Sequence, residues 1–238
     1  GIASGKVLDL NMTEASDHVK MMNNMVAKTI GIKTAARCTT VKPAGTTSLV
    51  LGTSSGIHAW HNKYYVRRMR VGKNEAIYAY LAIHHPELLE DDYFRPHDTA
   101  VISIPQAAPK GSITRKESAE DLLDRIKKVA NEWVKPGHRR GSNTHNVSAT
   151  VSLKDDQWDS TGEWMWKNRD HYNGLAVLPH DGGTYVQAPF EDITKQKYDE
   201  MSRTLQEIDL TKVVELEDKT DLSGELACAG GNCEITSL

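Results

Sequence analysis

Two stretches of this 238-residue sequence combine residue types and spacings that can do chemistry. The first is Lys42-Pro43-Ala44-Gly45-Thr46-Thr47-Ser48, which runs on through Gly52, Thr53, Ser54, Ser55 and Gly56 to Ile57 and His58. A strand candidate stops at Pro43. The small Ala44-Gly45 pair then lets backbone approach a ligand closely, and three consecutive hydroxyl residues can open a helix. The first N–H groups of a helix have no partner within it, so with neighbouring Thr and Ser hydroxyls they suit a phosphate or diphosphate. The Gly-Lys-Ser/Thr ending of a Walker A loop is missing. On these residues alone, a Thr-capped helix after a loop is the simpler reading.

The second stretch is Cys228-Ala-Gly-Gly-Asn-Cys233, which ends five residues before the last residue. Its two Gly residues make the intervening loop pliable enough to bring the sulfurs together. Zinc would require two more ligands, and no His or Cys follows. A redox pair and two inert thiols both remain open. Cys38 lies just before the phosphate-type stretch on a buried-strand candidate and reads as core packing. His58, His61, His84, His85 and His180 show neither an H-E-x-x-H nor a Cys-Cys-His spacing. They read as structural or solvated side chains, and no metal site is expected.

These residues must be positioned by a scaffold, and the pattern is that of alternating strands and helices. Thr13–Ile30 reads as a helix with Thr13 as its cap and Gly31 as its stop. Val19, Met22, Met25, Val26 and Ile30 share one face, and the Met residues read as core filling. Cys38–Val41, Tyr65–Val71, Thr99–Ile104, Val147–Leu153 and Leu175–Leu178 read as strands, the third ending at Pro105. Asn74–His85, Ser118–Trp133, Asp156–Arg169 and Ile193–Ile208 read as helices. Ser118 and Asp121 form a capping pair, and Leu122, Leu123, Ile126, Val129 and Trp133 form an apolar face. This alternation indicates an α/β fold. Beyond about residue 210 the composition turns polar and charged, which reads as a linker to a mobile tail.

Composition narrows the function classes. A net charge of −3 argues against a general nucleic-acid binder. No apolar run approaches the ~20 residues of a membrane span. Five Trp and eight Tyr supply anchors for a folded core. Three cysteines and no signal-peptide pattern point to a reducing cytoplasm. The sequence does not start with Met, and its first residues read as the middle of a longer polypeptide.

The ordered set of motifs resembles the vitamin B12-dependent, class II ribonucleotide reductases. The 43–48 stretch is similar to that family's substrate-phosphate loop, and Ser54–His58 to the Gly-Ile segment after it. Ala44 departs from the Ser often found there, which removes one hydroxyl and leaves the backbone donors. Tyr64–Arg70 resembles the family's Tyr-x-Arg-Arg-x-Arg strand, and Trp166–Asp170, Tyr172–Pro179 and Tyr185–Glu191 match further on. The Tyr pair that class I reductases carry shortly before the tail cysteines is missing near Arg203 and Thr204. The glycyl-radical motif is missing too.

The resemblance implies the carboxy-terminal part of the ten-stranded reductase α/β barrel over residues 1–210, with a flexible redox tail over 211–238. It implies adenosylcobalamin as cofactor, contacted by segments near 62–123 and 182–221, with no individual ligand assigned. It implies a ribonucleoside di- or triphosphate as substrate, bound by Pro43, Ala44, Gly45, Thr46, Thr47 and Ser48, and deoxyribonucleotide synthesis for DNA replication as the role. Cys228 and Cys233 would re-reduce an active-site disulfide and be reduced in turn by thioredoxin or a similar dithiol. The radical-bearing Cys and an Asn-x-Cys-x-Glu segment are expected upstream, in an amino-terminal part of the same enzyme. This chain alone is therefore expected to be inactive. A non-catalytic phosphate-binding domain that keeps the fold, or a class I fragment, are the alternatives.

Overall fold

The computed structural model describes residues 1–141, 143–180, 185–215 and 217. In chain order the elements are α1 (Met12–Ile30), α2 (Gly45–Val50), β1 (Tyr64–Gly72), α3 (Ala76–His84), β2 (Leu89–Asp91) and β3 (Thr99–Ala107). They continue with α4 (Ala119–Val129), β4 (Thr150–Leu153), α5 (Trp158–Lys167), β5 (Ala176–Pro179), β6 (Phe190–Asp192) and α6 (Lys195–Thr204). The fold is mixed α/β, and the chain divides into two compact units. Among the described residues, one comprises residues 1–60 and those from 109 to 180, the other 61–108 and those from 185 onward.

The first unit carries the phosphate-type stretch. Its core is built on α4, whose Leu122, Leu123, Ile126 and Val129 are buried against Ile57, Val147 and Val151. The helix starts where expected, because the Ser118 hydroxyl accepts from the Asp121 N–H and the Asp121 carboxylate accepts from the Ser118 N–H. Its end runs on into a wider π-type turn over Ala130–Val134. β4 and β5 pair in parallel, Thr150 opposite Ala176. Cys38–Val41, expected as a strand, forms only the isolated parallel bridge of Val41 with Val147, with a second bridge just before it from Arg37 to His138. Pro43 and the turn into α2 end the pairing at once.

α1 differs from expectation at its start and on its face. Asn11, two residues before Thr13, caps it by accepting from the Glu14 N–H at 3.2 Å. Gly31 ends it in the left-handed region at φ 75°. Its packed face is Met12, Ser16 and Ala27, and the Ser16 hydroxyl donates to the Trp133 carbonyl at 3.0 Å. Met21, Met22, Met25, Val26 and Ile30 are 48–61% exposed, so Met22 and Met25 do not fill this unit's core. Small residues let α1 approach the end of α4 closely, and that contact turns the larger apolar side chains outward.

The second unit is an antiparallel sheet in the order β2-β3-β1-β6. β1 and β3 pair along their whole length, Tyr64 opposite Ala107 and Gly72 opposite Thr99. α3 covers the sheet through Tyr80 and Leu81, packed with Val71, Leu88, Ala100 and Ile102. β3 continues through Pro105, which was expected to end it. Pro105 pairs with Val66 beyond the end of β2, which spans only Ala100–Ile102. A residue with no N–H is tolerated where one flank of its strand has no β2 residue opposite it.

Candidate functional site

The phosphate-type stretch folds as a loop braced from behind. Ala44, at φ −133°, precedes α2, and the first helical bond runs from the Ser48 N–H to the Ala44 carbonyl at 3.0 Å. The N–H groups of Gly45, Thr46 and Thr47 precede that bond and so lie outside the helical ladder. Thr46 and Thr47 are exposed. Ser48 is buried, and its hydroxyl donates to the Gly45 carbonyl at 2.9 Å, tightening the turn. The exposed hydroxyls of the loop are therefore those of Thr46 and Thr47. Pro43 and Ala44 are half-buried and shape the approach.

The segment Ser54–His58 supplies the brace. The Ala44 N–H donates to the Ser55 side-chain oxygen at 2.9 Å, which ties the residue before α2 to the strap after it. Gly56 sits at φ +56°, and a Cβ there would lie 2.9 Å from the Lys42 carbonyl oxygen. Only glycine suits both that conformation and that contact. Ile57 is fully buried in the core and anchors the strap. Its carbonyl accepts from Arg125 Nε at 3.4 Å, and the Arg125 guanidinium forms a bidentate, buried pair with Glu117 at 2.6 and 2.7 Å.

His58 closes the strap onto β4. Its Nδ1 lies 3.1 Å from the Ser55 carbonyl, and its Nε2 accepts from the Thr150 N–H at 3.0 Å. Burial lowers its pKa from the ordinary 6.5, opposed by the Ser55 bond and reinforced by the charges of Arg115 and Arg125. The sequence marked His58 as structural or solvated, and it is structural. Its particular role rests on a contact with Thr150, 92 residues further on, and no local pattern signals it.

The other motifs fall on both units. In the second, the Tyr-x-Arg-Arg-x-Arg segment is β1 itself. The Arg67 guanidinium lies 4.3 Å over the Phe190 ring. Arg68 pairs with Glu191 at 2.6 Å and Glu90 at 3.2 Å, and Arg70 with the buried Asp92 at 2.8 Å. Within Tyr185–Glu191, Gln187 adopts φ +55°. Its side chain accepts from the Tyr93 N–H at 2.8 Å and donates to the Asp91 carbonyl at 2.8 Å. The sequence had marked Gln187 only as part of the Tyr185–Glu191 match, and the exposed Tyr93 and Phe94 only as members of the 62–123 segment, with no individual role for any of the three. In the first unit, Asn173 opens the run into β5 by donating to the Thr144 and His145 carbonyls. Cys38 is a half-buried free thiol. Cys228 and Cys233 lie outside the described residues. Among the described residues no group of three or more His, Cys, Asp or Glu could hold a metal ion, and no helix is long and apolar enough to cross a membrane.

No family model matches the chain. It is 25% identical over 233 residues to the adenosylcobalamin-dependent ribonucleoside-triphosphate reductase of Euglena gracilis, covering 93% of this chain and 30% of that protein. It is 26% identical over 219 residues to the enzyme of the same name from Lactobacillus leichmannii, covering 88% and 28%. A crystal structure of a B12-dependent, class II ribonucleotide reductase superposes with a TM-score of 0.65 at 21% identity, over 80% of this chain and 27% of that one. The resemblance read from the motifs is thus borne out, and these relatives are adenosylcobalamin-dependent. The chain spans less than a third of the length of the relatives it matches.

Proposed function

We propose that this chain is the carboxy-terminal part of an adenosylcobalamin-dependent ribonucleotide reductase and that its 43–48 loop holds the phosphates of the ribonucleotide substrate. The observation that carries this reading is the braced loop. Three N–H groups outside the helical ladder and two exposed hydroxyls lie on the consecutive residues 45–47 at the start of α2, in a chain whose relatives are named ribonucleoside-triphosphate reductases. Residues 1–210 would contribute to the catalytic barrel. The parallel pairings of Val41 with Val147 and of β4 with β5 are of the kind an α/β barrel uses. The substrate is a di- or triphosphate, and the family of the relatives favours the latter.

The residues of the second unit suit a large, partly apolar disc with an amide rim. Tyr93 and Phe94 are 65% and 71% exposed, and the Tyr93 N–H is tied to Gln187, which follows the half-exposed Tyr185 and Val186 in the chain. These residues fall within the 62–123 and 182–221 segments and would hold the cofactor. Bound adenosylcobalamin would supply the radical chemistry, and the chain's own residues would orient it and limit water around it. Cys228 and Cys233, on the 211–238 tail, would deliver two electrons and two protons to an active-site disulfide. The route is thiolate attack through a mixed disulfide, and thioredoxin or a similar dithiol would restore the pair. A purely phosphate-binding domain would have no use for such a pair. The reaction centre itself would come from the amino-terminal part of the enzyme.

The test is deoxyribonucleotide formation from CTP by the intact protein with a dithiol, adenosylcobalamin added or withheld. Product only with the cofactor supports the reading, and no product with it overturns it.

A further inference from the structure

We infer that His58 is a positioning residue that braces the phosphate loop, and that protonation of this one imidazole loosens the brace. The inference rests on the phosphate-loop reading above and adds to it a pH-dependent control of the same site.

The geometry fixes the ring's state. The Thr150 N–H can only donate, so His58 Nε2 must present a lone pair to it across 3.0 Å. The neutral ring then carries its hydrogen on Nδ1, which lies 3.1 Å from the Ser55 carbonyl, an acceptor. Both partners are satisfied by one tautomer and no other. A proton added to Nε2 would set N–H against N–H and break the bond to β4.

The consequence reaches the loop through a short chain of named contacts. His58 holds the carbonyl of Ser55, and the side-chain oxygen of the same residue accepts from the Ala44 N–H at 2.9 Å, directly before α2. Gly56 packs on the Lys42 carbonyl and leaves the strap little room to slide, while Ile57 is fully buried. β4 contributes Val151 and Leu153 to the hydrophobic core of this unit, and Thr150 is buried beside them in the strand. The brace thus connects the loop's entry to the best-packed part of the fold through a single titratable group. The charged groups bearing on the ring are Arg115 and, from α4, Arg125, the latter paired with Glu117. Both cations oppose an imidazolium, so the neutral brace is the resting state at neutral pH.

Two measurements on the intact protein test this. Nitrogen-15 spectra of labelled histidine should show His58 as the Nδ1–H tautomer near neutral pH. As it protonates, the Ala44 and Thr150 amide signals should shift with it. An Nε2–H tautomer, or a His58 titration that leaves those two amides still, overturns the brace. The second measurement is CTP affinity at about pH 7.5 and about pH 5.5 in wild type and in His58→Gln, whose amide can still accept from Thr150 but does not titrate. Triphosphate protonation affects both proteins alike. The wild type should lose about fivefold more affinity than the variant on acidification, the size expected for one hydrogen bond. Identical pH profiles in the two proteins overturn the inference while leaving the phosphate loop standing. Absence of CTP binding at either pH overturns the phosphate-loop reading instead, and the tautomer spectra then decide the brace by themselves.

Discussion

The backbone N–H of Ala44 and the side-chain oxygen of Ser55 lie 2.9 Å apart, so the residue that opens α2 hangs from the strap that follows the helix. Replacing Ser55 by Ala leaves that half-buried N–H without its acceptor. The cost should be about 1–3 kcal/mol, the penalty for an unsatisfied backbone donor. Thermal unfolding should show a midpoint lowered by several degrees, with the CTP affinity reduced in parallel. An unchanged midpoint and affinity would mean that the strap does not support the loop.

His58 makes acid sensitivity a second expectation. Burial lowers its pKa below the ordinary 6.5, so the folded chain takes up this proton at lower pH than the unfolded chain does. The sign follows. The stabilisation is fully present above about 6.5 and is lost as pH falls through the lowered folded value. The unfolding midpoint of the wild type should therefore drop more steeply below that pH than the midpoint of His58→Gln. Parallel curves for the two proteins would contradict this.

The exposed face of α1 gives a third. Met21, Met22, Met25, Val26 and Ile30 present a continuous apolar stripe on the 238-residue chain. Met22→Lys with Val26→Glu places an ion pair at helical spacing on that stripe. Light scattering of the chain alone should fall, while the unfolding free energy changes by less than about 0.5 kcal/mol, as for an exposed surface. A large loss of stability would show that the stripe is packed after all.

Much of this was legible in the sequence, and the exceptions have physical reasons. The Ser118–Asp121 capping box and the apolar face of α4 are local patterns, and they folded as read. β1 mixes aromatic and β-branched residues with charged ones, and β3 carries the apolar run Ala100–Ile102, and both patterns reveal a strand. β2 and β6 are three residues each, too short for a period, and exist because β3 and β1 offer partners. The core role expected for Met22 and Met25 failed because periodicity locates an apolar face without saying what covers it. The loop's residue types pointed to anions. The brace from Ser55 and His58 depends on contacts with Ala44 and with the distant Thr150, which no local pattern contains.

The tail supplies a fourth prediction. Changing Cys228 or Cys233 to Ser in the full-length enzyme should abolish repeated turnover with thioredoxin, because both sulfurs act in sequence during exchange. A single turnover from pre-reduced enzyme should survive, and dithiothreitol should partly restore multiple turnovers. Wild-type turnover with thioredoxin in both variants would make the pair an accident of spacing.

The most direct test of the account is the Michaelis constant for CTP in the intact enzyme carrying Thr46→Val and Thr47→Val together. Valine keeps the shape of each side chain and removes only the hydroxyl. Each lost hydrogen bond to a charged phosphate is worth ~1.5–3 kcal/mol, so the loss of both should raise KM by about a hundredfold or more while the fold is retained. A double variant with unchanged KM and unchanged kcat would show that the 43–48 loop does not hold the substrate.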